Sequence, residues 1–231
     1  MKTQKLSIFE KEIDELNKRL ENHYELLETR DRKWIKDGIV DLKTYFESNY
    51  KILWILKEPR DGENNTGGGW SIVENIRKVR SEGLNKDSSA TFHPITYVTY
   101  AILNNIDEFD KLDKNKIYKE YSKSLKNIGY INIQKLPASS KSNNKNILKY
   151  FNENKVALLD QIKTINPDII ICTAGNDTFK KLKESVLSDC ELKGKILINA
   201  YHPAQTSIKR EIYVNKIIHE VKTAYNTVCK K

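Results

Sequence analysis

Cysteine is scarce, with Cys172, Cys190 and Cys229 the three in 231 residues. An odd number at wide spacing suits reduced thiols and offers neither a zinc ligand set nor a cluster-binding pattern. Long apolar runs are also missing, because no stretch approaches the roughly 20 residues that span a bilayer. The N-terminal "MKTQKLSIFEKEIDELNKRL" has no apolar core of a secretory leader. Internal repeats, low-complexity tracts and long linkers are absent too. These absences predict one domain over residues 1–231, cytoplasmic, with no membrane association and no metal or other cofactor.

Positive charge is abundant. Forty basic residues against 31 acidic ones give a net charge of +9. Such an excess suits a polyanion, since each neutralised phosphate releases a condensed counterion. Residues 1–48 read as a helical extension. "FEKEIDELNKRLENHYELLETR" sets Phe9, Ile13, Leu16, Leu20, Leu26 and Leu27 at helical spacings, and "RKWIKDGIVDLKTYFES" suggests a second helix. Their simplest role is packing.

Beyond residue 50 the periodicity changes. Four short apolar runs appear, "KILWIL" (51–56), "IGYINI" (128–133), "PDIIICT" (167–173) and "KILINA" (195–200), separated by helical segments that include "KIYKEYSKSLKN" (116–127), "NILKYFNENKVALLDQIKTI" (146–165) and "NDTFKKLKESVL" (176–187). Continuous apolar strands alternating with helices predict a parallel sheet covered on both faces. The expected fold is an α/β/α sandwich around a central four-stranded parallel sheet, with extra N-terminal helices.

In such sheets ligands bind beyond the carboxyl ends of the strands. The first run leads into "KEPRDGENNTGGGWS", with Glu58 two positions past the strand. The second closes on Asn132 and enters "QKLPASSKSNN"; "AGNDTF" follows the third, and "YHPAQTS", with His202, follows the fourth. Singly, these are an acidic turn, a loop cap and a turn histidine. Together they place a carboxylate, an amide and an imidazole along one sheet edge, and convergence is what marks a site. The glycines of "TGGGW" are either a flexible turn or a place where a phosphate approaches the backbone closely.

From about Lys51 to Ser207 the chain resembles the uracil-DNA glycosylase superfamily. "LKEPRDG" resembles the family's first motif, an acidic or amide residue before proline at a strand end. "GYINIQKLPASSKSNN" resembles its central strand ending in asparagine, and "NAYHPAQTS" its last motif, histidine-proline after the fourth strand. Departures are visible. Glu58 stands where the best-known branch has aspartate, Arg60 where it has tyrosine, and Ala204 and Gln205 replace the serine-rich leucine loop. The iron–sulfur branches need four cysteines, which this chain does not have. These differences bear on the substrate rather than on the fold.

The resemblance implies a monomeric, monofunctional glycosylase that hydrolyses the N-glycosidic bond of a damaged or modified base in DNA. That base is uracil or a modified cytosine, in repair or in defence against phage. Glu58 and His202 are then the catalytic pair. Asn132 reads the base, with Trp70, Phe92 and Tyr201 as stacking candidates. Arg60, Gly67, Gly68, Ser139, Ser140, Lys141 and Gln205 are the candidates for the DNA backbone. A non-catalytic nucleic-acid-binding module, or an enzyme of free nucleotides, are the alternatives.

Overall fold

The computed structural model describes residues 2–61, 66–82, 89–138 and 142–228. All four expected strands are present, as β2 (Ile52–Leu56), β3 (Ile128–Asn132), β4 (Ile169–Cys172) and β5 (Ile196–Asn199). A fifth, β1 (Gly38–Ile39), lies antiparallel against β3, so the sheet has five strands in the order β1-β3-β2-β4-β5. The sheet is therefore mixed, with a parallel centre and one antiparallel edge.

Alternation along the strands divides the core in two. Ile52, Trp54, Leu56, Ile169 and Ile171 face one side, where they pack with α4 (Ser89–Leu103) and α8 (Arg210–Val228). Helix α3 (Ile72–Glu82) adds Ile72, Val73 and Ile76 to this side. Leu53, Ile55, Ile131, Ile170 and Cys172 face the other, against α5 (Asn144–Glu153), α6 (Lys155–Ile165) and α7 (Asn176–Ser188). Every residue of β2 is buried, as a central strand covered on both faces requires.

The N-terminal segment departs from the helical expectation. Helix α1 runs from Lys2 to Glu25, packs on α6, and buries Phe9, Ile13, Leu16, Leu20 and Tyr24. It ends before Leu26, which is 84% exposed. The second expected helix is instead an extended strap, then β1, then the short α2 (Leu42–Glu47). Gly38, at φ 145°, and the cap at Asp41, whose Oδ1 accepts from Thr44 N–H at 3.0 Å, delay the helix to that point. The segment 146–165 likewise splits into α5 and α6 at Asn154. The stretch 116–127 forms turns and a 3₁₀ helix rather than an α-helix.

Candidate active site

From β2 the chain crosses to β3 on one side, then returns to place β4 on the other. The crevice opened where the order reverses lies beyond the carboxyl ends of β2 and β4. The loops after β2 and β3 continue pairing past the sheet. Ile133 N–H donates to Leu56 O at 2.9 Å, Gln134 N–H to Lys57 O at 2.9 Å and Ala138 N–H to Pro59 O at 3.1 Å. Pro59 loses nothing here, because this ladder uses its carbonyl and not the N–H that proline lacks. Glu58 is held between two paired residues.

The Glu58 side chain bonds to Ser142, while its Oε2 is buried with no protein partner. Burial raises its pKa above the ordinary carboxylate range, against the opposing pull of the Ser142 bond, Lys57 and Arg60. The carboxylate opens onto a recess of about 700 Å³ that also touches Arg32, Gln134 and Asn143.

His202 follows β5. Its Nδ1 accepts from Ala204 N–H at 3.2 Å, which puts the proton of the neutral ring on Nε2. Burial first, then the charges of Lys57 and Arg60, push its pKa down to about 4. The ring is a neutral donor at physiological pH. It lines a cleft of about 230 Å³ with Lys57, Thr173, Gly175, Asn199 and Lys216.

Asn132, the last residue of β3, is 1% exposed, and neither its Nδ2 nor its Oδ1 has a partner. A buried amide left unpaired costs stability, about 1–3 kcal/mol per group. Alternation along β3 puts it on the face of Tyr130, whose ring lies 6.0 Å from that of Phe92. Across the pair β2–β3 it stands in register with Leu56, two residues before Glu58.

The three expected residues thus share one sheet edge. Among the described residues no hydrogen bond joins them, and Glu58 and His202 open into different cavities. Lys57 and Arg60 act electrostatically on both. Of the aromatic candidates, Phe92 lies on the face of Asn132. Trp70 is tied back, its Nε1–H donating to Asp61 Oδ2 at 2.5 Å. Tyr201 is 59% exposed at the rim, with Lys216 Nζ 5.7 Å from its ring.

Three candidates for the DNA backbone are engaged within the protein. The amides of Gly67 and Gly68 are already spent, on Asp31 O at 2.9 Å and Asp61 Oδ2 at 2.6 Å. Those glycines serve a close approach within the protein: a Cβ on Gly68, at φ 90°, would lie 1.8 Å from Lys33 O. Gln205 gives both ends of its amide to Ile208, at 3.0 and 2.9 Å, and so shapes the loop after His202. Arg60 is exposed beside the crevice. Ser139, Ser140 and Lys141 lie outside the described residues.

No family model matches the sequence, and no curated protein does. Among solved structures, the wild-type UNG of Nitratifractor salsuginis, a uracil-DNA glycosylase, is similar at 11% identity with a TM-score of 0.36. The match covers 77% of this chain and 70% of that one. At that distance the site is read from its own chemistry.

Sequence reasoning passed over three residues here. Lys57 lines the histidine cleft and acts on both titrating groups. Asp37 and Lys135 form a buried ion pair beneath Asn132, each side chain 0% exposed. The signal for Lys135 was its place in "INIQKL", directly behind a buried strand. Asp37 had no comparable signal, since only the fold brings the strap to β3. Among the described residues no cluster of three or more His, Cys, Asp or Glu converges as a metal site, and no helix is long and apolar enough to cross a membrane.

Proposed function

We propose that this chain is a DNA N-glycosylase that hydrolyses the bond between deoxyribose and a damaged or modified base, uracil or a modified cytosine, leaving an abasic site. The observation that carries the reading is the buried, unpartnered carboxamide of Asn132 at the carboxyl end of β3, in register with the end of β2. A group that costs stability and meets no protein partner is explained by a ligand that supplies both a donor and an acceptor. The Watson–Crick edge of a base does so.

The rest of the edge fits the reaction. Cleavage builds positive charge on the sugar and negative charge on the departing base. Glu58, once ionised, stabilises the first and orients water, its Oε2 having no protein partner. The Nε2–H of neutral His202 stabilises the second, as a preorganised donor does for an oxyanion. Lys57 adds positive charge beside His202, where the base leaves. A base inside a duplex is out of reach, so the nucleotide is extruded or met in single-stranded DNA. The +9 charge supplies the attraction.

The test is to incubate DNAs carrying uracil and modified cytosines, treat with alkali, and score strand breaks at abasic sites. Breaks that vanish with Glu58→Gln and His202→Ala are expected. Salt-sensitive binding with no breaks on any substrate would leave a binding module instead. Release of free base from nucleosides but not from DNA would identify an enzyme of monomers.

A further inference from the structure

Beneath β3, Asp37 and Lys135 meet with no access to solvent. Lys135 Nζ lies 2.7 Å from Oδ1 and 2.7 Å from Oδ2 of Asp37. Gln161, from α6, donates its Nε2–H to Oδ1 at 2.9 Å, and the Tyr24 ring stands 5.7 Å from Nζ. Burial lowers the pKa of the Lys135 ammonium, and the facing carboxylate opposes that shift. The remaining bonds all go to one residue. Asn132 N–H donates to Asp37 Oδ2 at 2.7 Å, and Lys135 Nζ donates to Asn132 O at 3.2 Å.

The topology shows why a carboxylate stands there. Strand β1 pairs Gly38 with Tyr130, so the next main-chain partner along that edge of β3 would come from residue 36. Lys36 instead turns to the glycine loop, donating its N–H to Trp70 O and accepting from Ile72 N–H. The N–H of Asn132 is left without a main-chain partner, and Asp37 supplies one. A buried ion pair is a poor source of stability, since apolar side chains of equal volume often do as well. What apolar side chains lack is a hold on both peptide groups of Asn132. Its own carboxamide makes no bond that fixes its aim.

We propose that the Asp37–Lys135 pair is a positioning device, clamping the N–H and the carbonyl of Asn132 so that its carboxamide stays directed at the base. The inference rests on the glycosylase reading for its functional consequence, and on hydrogen-bond geometry for the clamp.

Two double variants separate hydrogen bonding from charge. Asp37→Leu/Lys135→Met removes the acceptor and the donor. Asp37→Asn/Lys135→Gln removes both charges but keeps an acceptor and a donor. Single-turnover excision should fall about tenfold or more in the first, as small misplacements of reading groups do, and stay near wild type in the second. DNA affinity should be unchanged in both. In an Asn132→Ala background the first pair should cause no further loss, because residues acting through one another are not additive. A full second loss in that background overturns the proposal, as does unchanged excision in a folded Asp37→Leu/Lys135→Met protein. Side-chain ¹⁵N resonances of Asn132 give a readout independent of activity. They should broaden or shift in the apolar pair and persist in the amide pair. If the wild type excises nothing, the glycosylase reading fails, and unchanged Asn132 resonances in the apolar pair are what overturns the clamp. Should the apolar pair not fold, Gln161→Leu, which removes one anchor of the carboxylate, is read in the same two ways.

Discussion

The carboxamide of Asn132 is a costly polar group at the strand ends, since it is 1% exposed and unpartnered on both atoms. Asn132→Leu should therefore match or exceed the wild type in stability, by about 1 kcal/mol, because an apolar group of similar shape relieves the unmet desolvation. Excision should meanwhile be lost. Paired denaturation curves and single-turnover assays check this, and a destabilised variant would mean the amide has a partner in solution. Glu58 makes a separate prediction. Its pKa is raised by burial, and the proposed hydrolysis needs it ionised, so kcat/KM should rise with pH through an ionisation above the ordinary carboxylate value of 4.5. His202, held to about 4 by burial and by Lys57 and Arg60, should contribute no limb near neutrality. Glu58→Gln should erase the acid limb along with most of the rate. His202→Ala should cost about 10²–10³-fold in kcat, the usual effect of removing one preorganised donor.

The strap before β1 and the glycine loop form an element of their own. Arg32 and Lys36 bridge in parallel to Gly67 and Ser71, and Lys33 N–H donates to Gly67 O at 2.8 Å. Gly68 faces the Lys33 carbonyl so closely that no side chain fits. Gly68→Ala should destabilise by about 2–3 kcal/mol or more, combining a left-handed backbone with displacement of the strap. Gly194→Ala is the control, since its φ is also positive, at 93°, yet nothing lies within 4 Å of a Cβ there. It should cost about 1 kcal/mol, the strain of the left-handed backbone alone. Equal losses in thermal unfolding would show that the contact with Lys33 contributes nothing. Residues 1–48 are thus more than a packing extension, because their strap carries Asp37 to the end of β3.

For the whole chain, the histidine links the site to stability. His202 binds its proton less tightly folded, at about 4, than at its ordinary 6.5. The unfolded chain therefore takes up that proton first as pH falls. The contribution is complete above pH 6.5 and is lost between 6.5 and about 4, amounting to at most about 3 kcal/mol for this half-buried ring. Glu58, with its raised pKa, runs the other way, so the difference between wild type and His202→Ala isolates the histidine. Urea midpoints measured from pH 7 to pH 4 should converge for the two proteins as pH falls, and a constant gap would refute the shift.

The strands of the centre were legible because a parallel strand covered on both faces must be apolar throughout. "KILWIL", "PDIIICT" and their two partners show it directly. The strand-end positions of Glu58, Asn132 and His202 followed from that same pattern. Helix α7 was equally plain, while α5 and α6 read as one because the break at Asn154 is carried by backbone geometry and not by proline or glycine. Strand β1 was not legible at all: two residues hold no periodicity, and its pairing depends on β3, about ninety positions away. The same holds for the glycines, whose open conformations were evident while the fate of their amides was not. Local pattern thus set the four parallel strands and the order of the candidate groups along one edge, since those depend on neighbours in sequence. Which donors are spent, which amide is left unpaired and which charges lie buried beneath it depend on contacts between distant segments, and those exist only once the chain has folded.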